Sequence, residues 1–230
     1  MNKTIGSEIK GCIFDMDGVI VDTAHYHYLS WRKLTADWSY QITPEANESL
    51  KGVSRMESLE IILELAGVSK SDSEKADLCA KKNEWYRESI CAMTADDTLP
   101  GVLPFIEQLK SAGLKVALGS ASKNAKHILA LMGLTDLFDG LVDGNDLTRS
   151  KPDPQVFLLA AEAMELSPSH CLVIEDAAKG IEAASAAGMR SVGIGEVEYL
   201  HAADLVLPST ALLSWSLIQS HFLKNERTAS

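Results

Sequence analysis

Short apolar runs that stop abruptly on turn-forming or acidic residues recur along this chain: Cys12–Phe14, Lys115–Leu118, Leu141–Val142, Cys171–Ile174, Ser191–Ile194 and Leu205–Leu207. Runs of this length, without strict polar alternation, fit strands buried on both faces and are too short for core helices. Between the later runs lie stretches with helical period, at Val102–Ala112, Asn124–Met132, Pro154–Met164, Ala178–Ala187 and Leu212–Phe222. Pro100 and Gly113 bracket the first of these with start and stop chemistry. Strand and helix therefore alternate from about residue 99 onward. That order predicts an α/β fold, a Rossmann-like parallel sheet of βαβ units covered by helices on both faces.

The stretch from Thr23 to Asp97 breaks the alternation. It lacks β-rich runs and carries amphipathic patterns at His25–Asp37, Arg55–Ala66 and Ser73–Ile90. The sequence thus divides into a core over 1–22 and 98–230 and an inserted helical domain over 23–97. A chain of 230 residues has room for both. Leaving just after the first strand, the insert is expected to lie above that strand's carboxyl end, as a cap.

The first apolar run ends in Asp15-Met16-Asp17-Gly18. Two carboxylates beside a core are costly unless a cation or a mobile proton answers them. Gly18 lets the chain turn sharply, and the carboxyl ends of strands are where open α/β sheets build their sites. One carboxylate of such a pair can attack phosphorus while the other moves a proton to or from the leaving oxygen. A phosphoryl group is anionic, so this chemistry also needs cations and hydrogen-bond donors. Oxygen ligands suit Mg²⁺.

Later strand ends supply such groups. Gly119-Ser120-Ala121-Ser122-Lys123-Asn124 places hydroxyls and N–H groups ahead of a helix, a ready anion site. Lys151 lies in Ser150-Lys151-Pro152-Asp153-Pro154, a loop stiffened by two prolines. Leu172-Val173-Ile174 runs into a second acidic pair, Glu175-Asp176. Taken singly, Ser120 or Ser122 reads as a helix cap, Lys151 as a solvated lysine and Glu175-Asp176 as another cap. Their common order, each behind its own strand, argues for one site.

The set Asp15-Met16-Asp17-Gly18, Ser120, Lys151 and Glu175-Asp176 resembles the haloacid dehalogenase superfamily of phosphotransferases over nearly the whole chain. The resemblance implies that Asp15 is the nucleophile and becomes an aspartyl phosphate. It implies that Asp17 is the general acid/base and also offers its backbone carbonyl to Mg²⁺. Ser120 and Lys151 would hold the transferring phosphoryl group, and Glu175 and Asp176 would complete the magnesium shell.

Within the insert, Thr23-Ala24-His25-Tyr26-His27 and Leu50-Lys51-Gly52-Val53-Ser54-Arg55 resemble the corresponding stretches of the β-phosphoglucomutase family. Arg55 at a helix start opposes the macrodipole, a mild cost that an anion would relieve, and arginine grips phosphate bidentately. The resemblance implies that Arg55, Ser122, Lys123 and Asn124 hold a second, non-transferring phosphate. It places Thr23 and His27 around Asp17, Lys51 and Gly52 at the contact between insert and core, and Lys82 and Asn83 against sugar and phosphate. The activity it implies is conversion of β-glucose 1-phosphate to glucose 6-phosphate through glucose 1,6-bisphosphate, with a sugar-phosphate phosphatase on the same core as the alternative.

The net charge of −11 leaves no basic face for nucleic acid, and small sugar phosphates are the expected partners. The cysteines Cys12, Cys79, Cys91 and Cys171 are scattered without a CxxC and read as reduced intracellular thiols. Met1–Lys10 has no apolar signal core and no segment approaches a membrane span, so a cytoplasmic protein is expected. Nothing in the sequence demands more than a monomer.

Overall fold

The computed structural model describes residues 9–38, 40–48 and 50–228. The reading of Met1–Lys10 falls largely outside the described residues. The chain enters through β1 (Gly11–Phe14) and then runs through α1 (Ala24–Leu34), α2 (Pro44–Glu48), α3 (Arg55–Ala66) and α4 (Asp72–Ile90). It continues as α5 (Val102–Ser111), β2 (Lys115–Gly119), α6 (Ala125–Leu131), β3 (Gly140–Val142), α7 (Gln155–Ala163) and β4 (Cys171–Glu175). The last part comprises α8 (Ala178–Ala186), β5 (Arg190–Ile194), α9 (Val197–Leu200), β6 (Leu205–Leu207) and α10 (Trp215–Thr228).

The strands form one sheet in the order β3-β2-β1-β4-β5-β6, with every named pairing parallel. The expected parallel α/β core is therefore present. Alternate side chains of β1 go to opposite faces. Cys12 and Phe14 pack with Leu118, Ile174 and the inner faces of α5, α6 and α10. Ile13 packs with Ala117, Val173, Phe157 and Ala184, under α7 and α8. Burial on both faces is why the strands read as unbroken apolar runs. The chain order reverses around β1, which pairs with β2 on one side and β4 on the other. A crevice opens at such a reversal, beyond the carboxyl ends of the strands.

The helices between β1 and α5 carry an apolar cluster of their own, built on Trp31, Leu34, Leu59, Ile62 and Leu63. Their ends are set by local chemistry. Ser54 and Glu57 form a reciprocal capping box at the start of α3, which stops at Gly67 with φ 64°. Ser71 and Glu74 repeat the box for α4. The chain leaves and re-enters the sheet side by side: Val21 bridges Thr98, and Leu99 N–H donates to the Ile20 carbonyl at 2.8 Å.

Two short helices, α2 and α9, carry no helical period in the sequence, being 5 and 4 residues long. The last helix begins at Trp215 rather than Leu212. The reason is local, because Thr210–Leu212 is a 3₁₀ turn whose Ala211 N–H is taken by the Ser209 hydroxyl at 3.2 Å. No helix among the described residues is long and apolar enough to cross a membrane.

Candidate active site

The floor of the crevice is the carboxyl end of β1. Asp15 still follows the ladder, its N–H donating to the Ile174 carbonyl at 3.0 Å. Immediately afterwards the chain folds back: Gly18 takes φ 76° and donates to the Val21 carbonyl at 2.7 Å. A Cβ on Gly18 would collide with the Asp176 carboxylate, so glycine is required here for space as well as for backbone conformation.

Lys151 reaches in from the loop before α7, 1% exposed. Its Nζ donates to Asp15 Oδ1 at 2.9 Å and to Glu175 Oε2 at 2.7 Å, above the Phe157 ring. Burial works against its charge, but Asp15 and Glu175 outweigh that and hold the ammonium above the ordinary lysine range. Glu175 also accepts from Ala177 N–H at 3.1 Å, and α8 passes so close that a Cβ at Gly180 would strike its carboxylate. Oxygens of Asp15, Glu175 and Asp176 lie within 4.8 Å of one another. Burial and then the Asp15 charge push Glu175 upward. Asp176 is also raised by burial, with Lys51 opposing at 3.4 Å. Three crowded oxygen donors that one buried lysine does not neutralise form a donor set for a hard divalent cation such as Mg²⁺.

The Asp17 carboxylate stands apart from this trio. Its Oδ1 accepts from the buried Thr23 hydroxyl, just beyond the paired chain crossings. Burial, and next the Asp15 charge, push it up to about 6, with Thr23, Lys151 and Lys82 pulling the other way. A carboxyl so poised can both give and take a proton near neutrality.

The wall facing this floor comes from the inserted helices. Burial, then the positive charges of Lys82 and Arg55, hold His27 well below the usual histidine range, so its imidazole is neutral. Nδ1 accordingly accepts from Lys82 Nζ at 2.7 Å. Lys82 lies over the rings of Trp31 and Tyr86, and burial followed by the Arg55 charge pushes it down to about 7. Arg55, the first residue of α3, lines the same cavity of about 340 Å³ as Asp15, Asp17, Lys82 and the 120–123 loop. Within that loop the Ser120 hydroxyl accepts from Ser122 N–H at 3.1 Å, and the Ser122 hydroxyl accepts from Asn124 N–H at 3.3 Å. Lys51 and Gly52 touch the floor directly, and a Cβ on Gly52 would sit 3.1 Å from that of Ala177.

Not every residue singled out from sequence opens onto the cavity. Asn124 Nδ2 donates to Asn83 Oδ1 at 2.9 Å, so these amides join insert to core, and neither lines the cavity. Thr23 lies behind Asp17, and Lys151 and Glu175 behind Asp15, all buried. Conversely, Trp31, Asn47 and Arg149 line the cavity without having been singled out. Trp31 is one helical turn beyond His27, a spacing that places both on one face of α1. Arg149 stands two residues before Lys151 in the same loop, the one local signal that could have marked it.

The sequence profile of haloacid dehalogenase-like hydrolases matches residues 9–188. A β-phosphoglucomutase from Bacillus subtilis is 41% identical over 216 residues, covering 93% of this chain and 96% of that protein. The fructose-1-phosphate phosphatase YqaB of Escherichia coli is 36% identical over 188 residues, covering 80% of this chain and 95% of its own. Among solved structures, a β-phosphoglucomutase from Clostridium difficile superposes with a TM-score of 0.90 at 43% identity, covering 94% of this chain and 98% of that one.

Proposed function

Because the chain belongs to the haloacid dehalogenase-like hydrolase family, we propose that it is a β-phosphoglucomutase, an isomerase that converts β-glucose 1-phosphate to glucose 6-phosphate through an aspartyl phosphate on Asp15 and glucose 1,6-bisphosphate. One observation carries the reading. A single cavity holds Asp15 on its floor and Arg55, Ser122 and Lys123 around it, cations and donors suited to a second phosphate. The likeness to β-phosphoglucomutases over more than nine-tenths of the chain supports it. In this reading residues 1–22 and 98–230 are the catalytic core and 23–97 the cap.

In the first half-reaction an Asp15 carboxylate oxygen bonds to phosphorus as the bond from phosphorus to the sugar oxygen breaks. Asp17 delivers its proton to that leaving oxygen. In the second, a sugar hydroxyl attacks phospho-Asp15; its proton passes to Asp17, and the Asp15 carboxylate is regenerated. Lys151 stays charged beside Asp15 throughout and offsets the charge that gathers on the phosphoryl oxygens. Mg²⁺ held by Asp15, Glu175 and Asp176, with the Asp17 carbonyl, would supply further positive charge there. Ser120 offers a hydroxyl to the transferring group, while Arg55, Ser122 and Lys123 hold the other phosphate. Asn124 and Asn83 keep cap and core in register around it. The bisphosphate forms when the sugar hydroxyl attacks phospho-Asp15; it then turns over, so that its other phosphate faces Asp15 and is taken up in the next transfer to Asp15.

Water must be excluded while Asp15 is phosphorylated, and contact between cap and floor at Lys51, Gly52 and Asn83 serves that end. A sugar-phosphate phosphatase, the activity named for the YqaB relative, would use the same floor and let water take the phosphoryl group. Supplying β-glucose 1-phosphate, Mg²⁺ and a trace of the 1,6-bisphosphate separates the two. Glucose 6-phosphate forming faster than free phosphate upholds the mutase; the reverse order replaces it with the phosphatase.

A further inference from the structure

We propose that Arg149 is a further substrate-binding residue, a specificity determinant that grips the anionic end of the sugar phosphate remote from Asp15 and favours bisphosphorylated sugars. This rests on the sugar-phosphate reading of the cavity. Arg149 lines that cavity together with Arg55 and Lys123, and no residue of the proposed mechanism needs it for another purpose.

Its loop is held in place. Thr148 and Arg149 backbone N–H groups donate to Gln155 Oε1 at 3.0 and 2.9 Å, and the Thr148 hydroxyl adds a third contact at 3.2 Å. The first residue of α7 thus anchors the segment that runs into Lys151. The Arg149 side chain is oriented as well, its Nε standing 2.8 Å from Asp153 Oδ2 in an ion pair. Asp153 is itself fixed, its Oδ1 accepting from Gln155 N–H at 3.0 Å. A guanidinium held at Nε still presents its two terminal nitrogens, and that fork matches two oxygens of a phosphate.

The position relative to the cap adds a second argument. Arg149 and Ser150 line the cavity together with Ser54 and Arg55, at the start of α3. The core loop bearing Arg149 therefore shares the cavity wall with the cap turn bearing Arg55. Two guanidiniums, one from each part of the chain, attend the same cavity, and a doubly anionic group is the chemistry that meets both. With 68% of its side chain exposed, Arg149 stands at the mouth, where its pull is moderated by solvent.

The test is equilibrium titration of the full-length chain in the Asp15→Asn background, with Mg²⁺, against glucose 1,6-bisphosphate and against inorganic phosphate. Adding Arg149→Ala is expected to weaken bisphosphate binding roughly fivefold and phosphate binding less than twofold. Arg149→Lys, which keeps the charge, should recover part of the loss. In the otherwise native chain, Arg149→Ala should raise the KM for the bisphosphate by about the same factor with kcat nearly constant. Equal losses for both ligands would make the residue a support for its loop, and no loss for either would make it a surface ion pair; each outcome overturns the inference. Because the titrations measure binding alone, they decide on Arg149 whether turnover reveals a mutase or a phosphatase.

Discussion

Lys82 should be stabilising to remove. It is 1% exposed, and its folded value of about 7 lies far below the ordinary 10.5. A base with a depressed folded value destabilises the protein over a defined window. Above 10.5 both folded and unfolded chains carry a neutral amine, and the effect vanishes. As the pH falls toward 7 the unfolded chain takes a proton that the folded chain refuses, and stability drops by about 1.4 kcal/mol per pH unit. The full penalty, roughly 4–5 kcal/mol, is in place below about 7. Lys82→Met abolishes it with a side chain of similar length. Against that, the change strips His27 Nδ1 of its 2.7 Å donor, a loss of about 1–3 kcal/mol. The net expectation is a gain of about 1–3 kcal/mol at pH 7, with a large fall in turnover because Lys82 lines the cavity. Urea unfolding followed by circular dichroism, at intervals from pH 6.5 to 9.5, measures it. The advantage of the variant must shrink as the pH rises. A variant less stable than the parent at pH 7, or an advantage independent of pH, would refute the burial of a charge at this position.

Asp15→Asn should abolish turnover and leave the unfolding transition cooperative; normal activity would remove Asp15 as nucleophile. Asp17→Asn should lower kcat by about a hundredfold or more with little change in substrate affinity. Since Asp17 must be protonated to serve the leaving oxygen and its folded value is about 6, kcat for hydrolysis of an aryl phosphate should fall as the pH rises through that region. A pH–rate profile that kept this limb in Asp17→Asn would assign the titration elsewhere. Arg55→Ala should raise the KM for glucose 1,6-bisphosphate at least tenfold, and more than it raises that for a small aryl phosphate; equal effects would take Arg55 out of the distal grip.

The core and its acids were legible because a short strand buried on both faces leaves little freedom. Once Cys12–Phe14 is a strand, Asp15 must stand at its end, and the same holds for Glu175, the last residue of β4. Side chains on the inserted helices have no such constraint. Lys81 and Lys82 are neighbours in sequence with the same local signal. Packing alone separates them: Lys82 is enclosed between Trp31 and Tyr86, while Lys81 lies outside over Trp85. The resemblance gives Asn83 and Asn124 ligand contacts, and the structure joins the two amides to each other. That they bond each other depends on how insert meets core, which no local pattern encodes.

The distribution of charge also links closure of the insert to the chemistry of the floor. Asp15, Glu175 and Asp176 crowd together, and Lys151 is the cation buried among them. One buried positive charge cannot neutralise three carboxylates, and the crowding shows in Glu175 and Asp176, whose carboxyls burial and neighbouring negative charge hold above the usual range. Part of the remainder is met by Lys51, which comes from the insert and stands 3.4 Å from Asp176. Gly52, packed against Ala177, allows the loop to come that close. The contact that brings the insert down therefore also adds positive charge to the floor. Arg55 and Lys82 add two more from the same side, each pushed toward its neutral form by burial and therefore in want of an anion. An empty closed cavity holds like charges together on its upper wall and on its floor. A dianionic phosphoryl group relieves the upper wall and a divalent cation the floor, so closure over both is favoured relative to closure over neither.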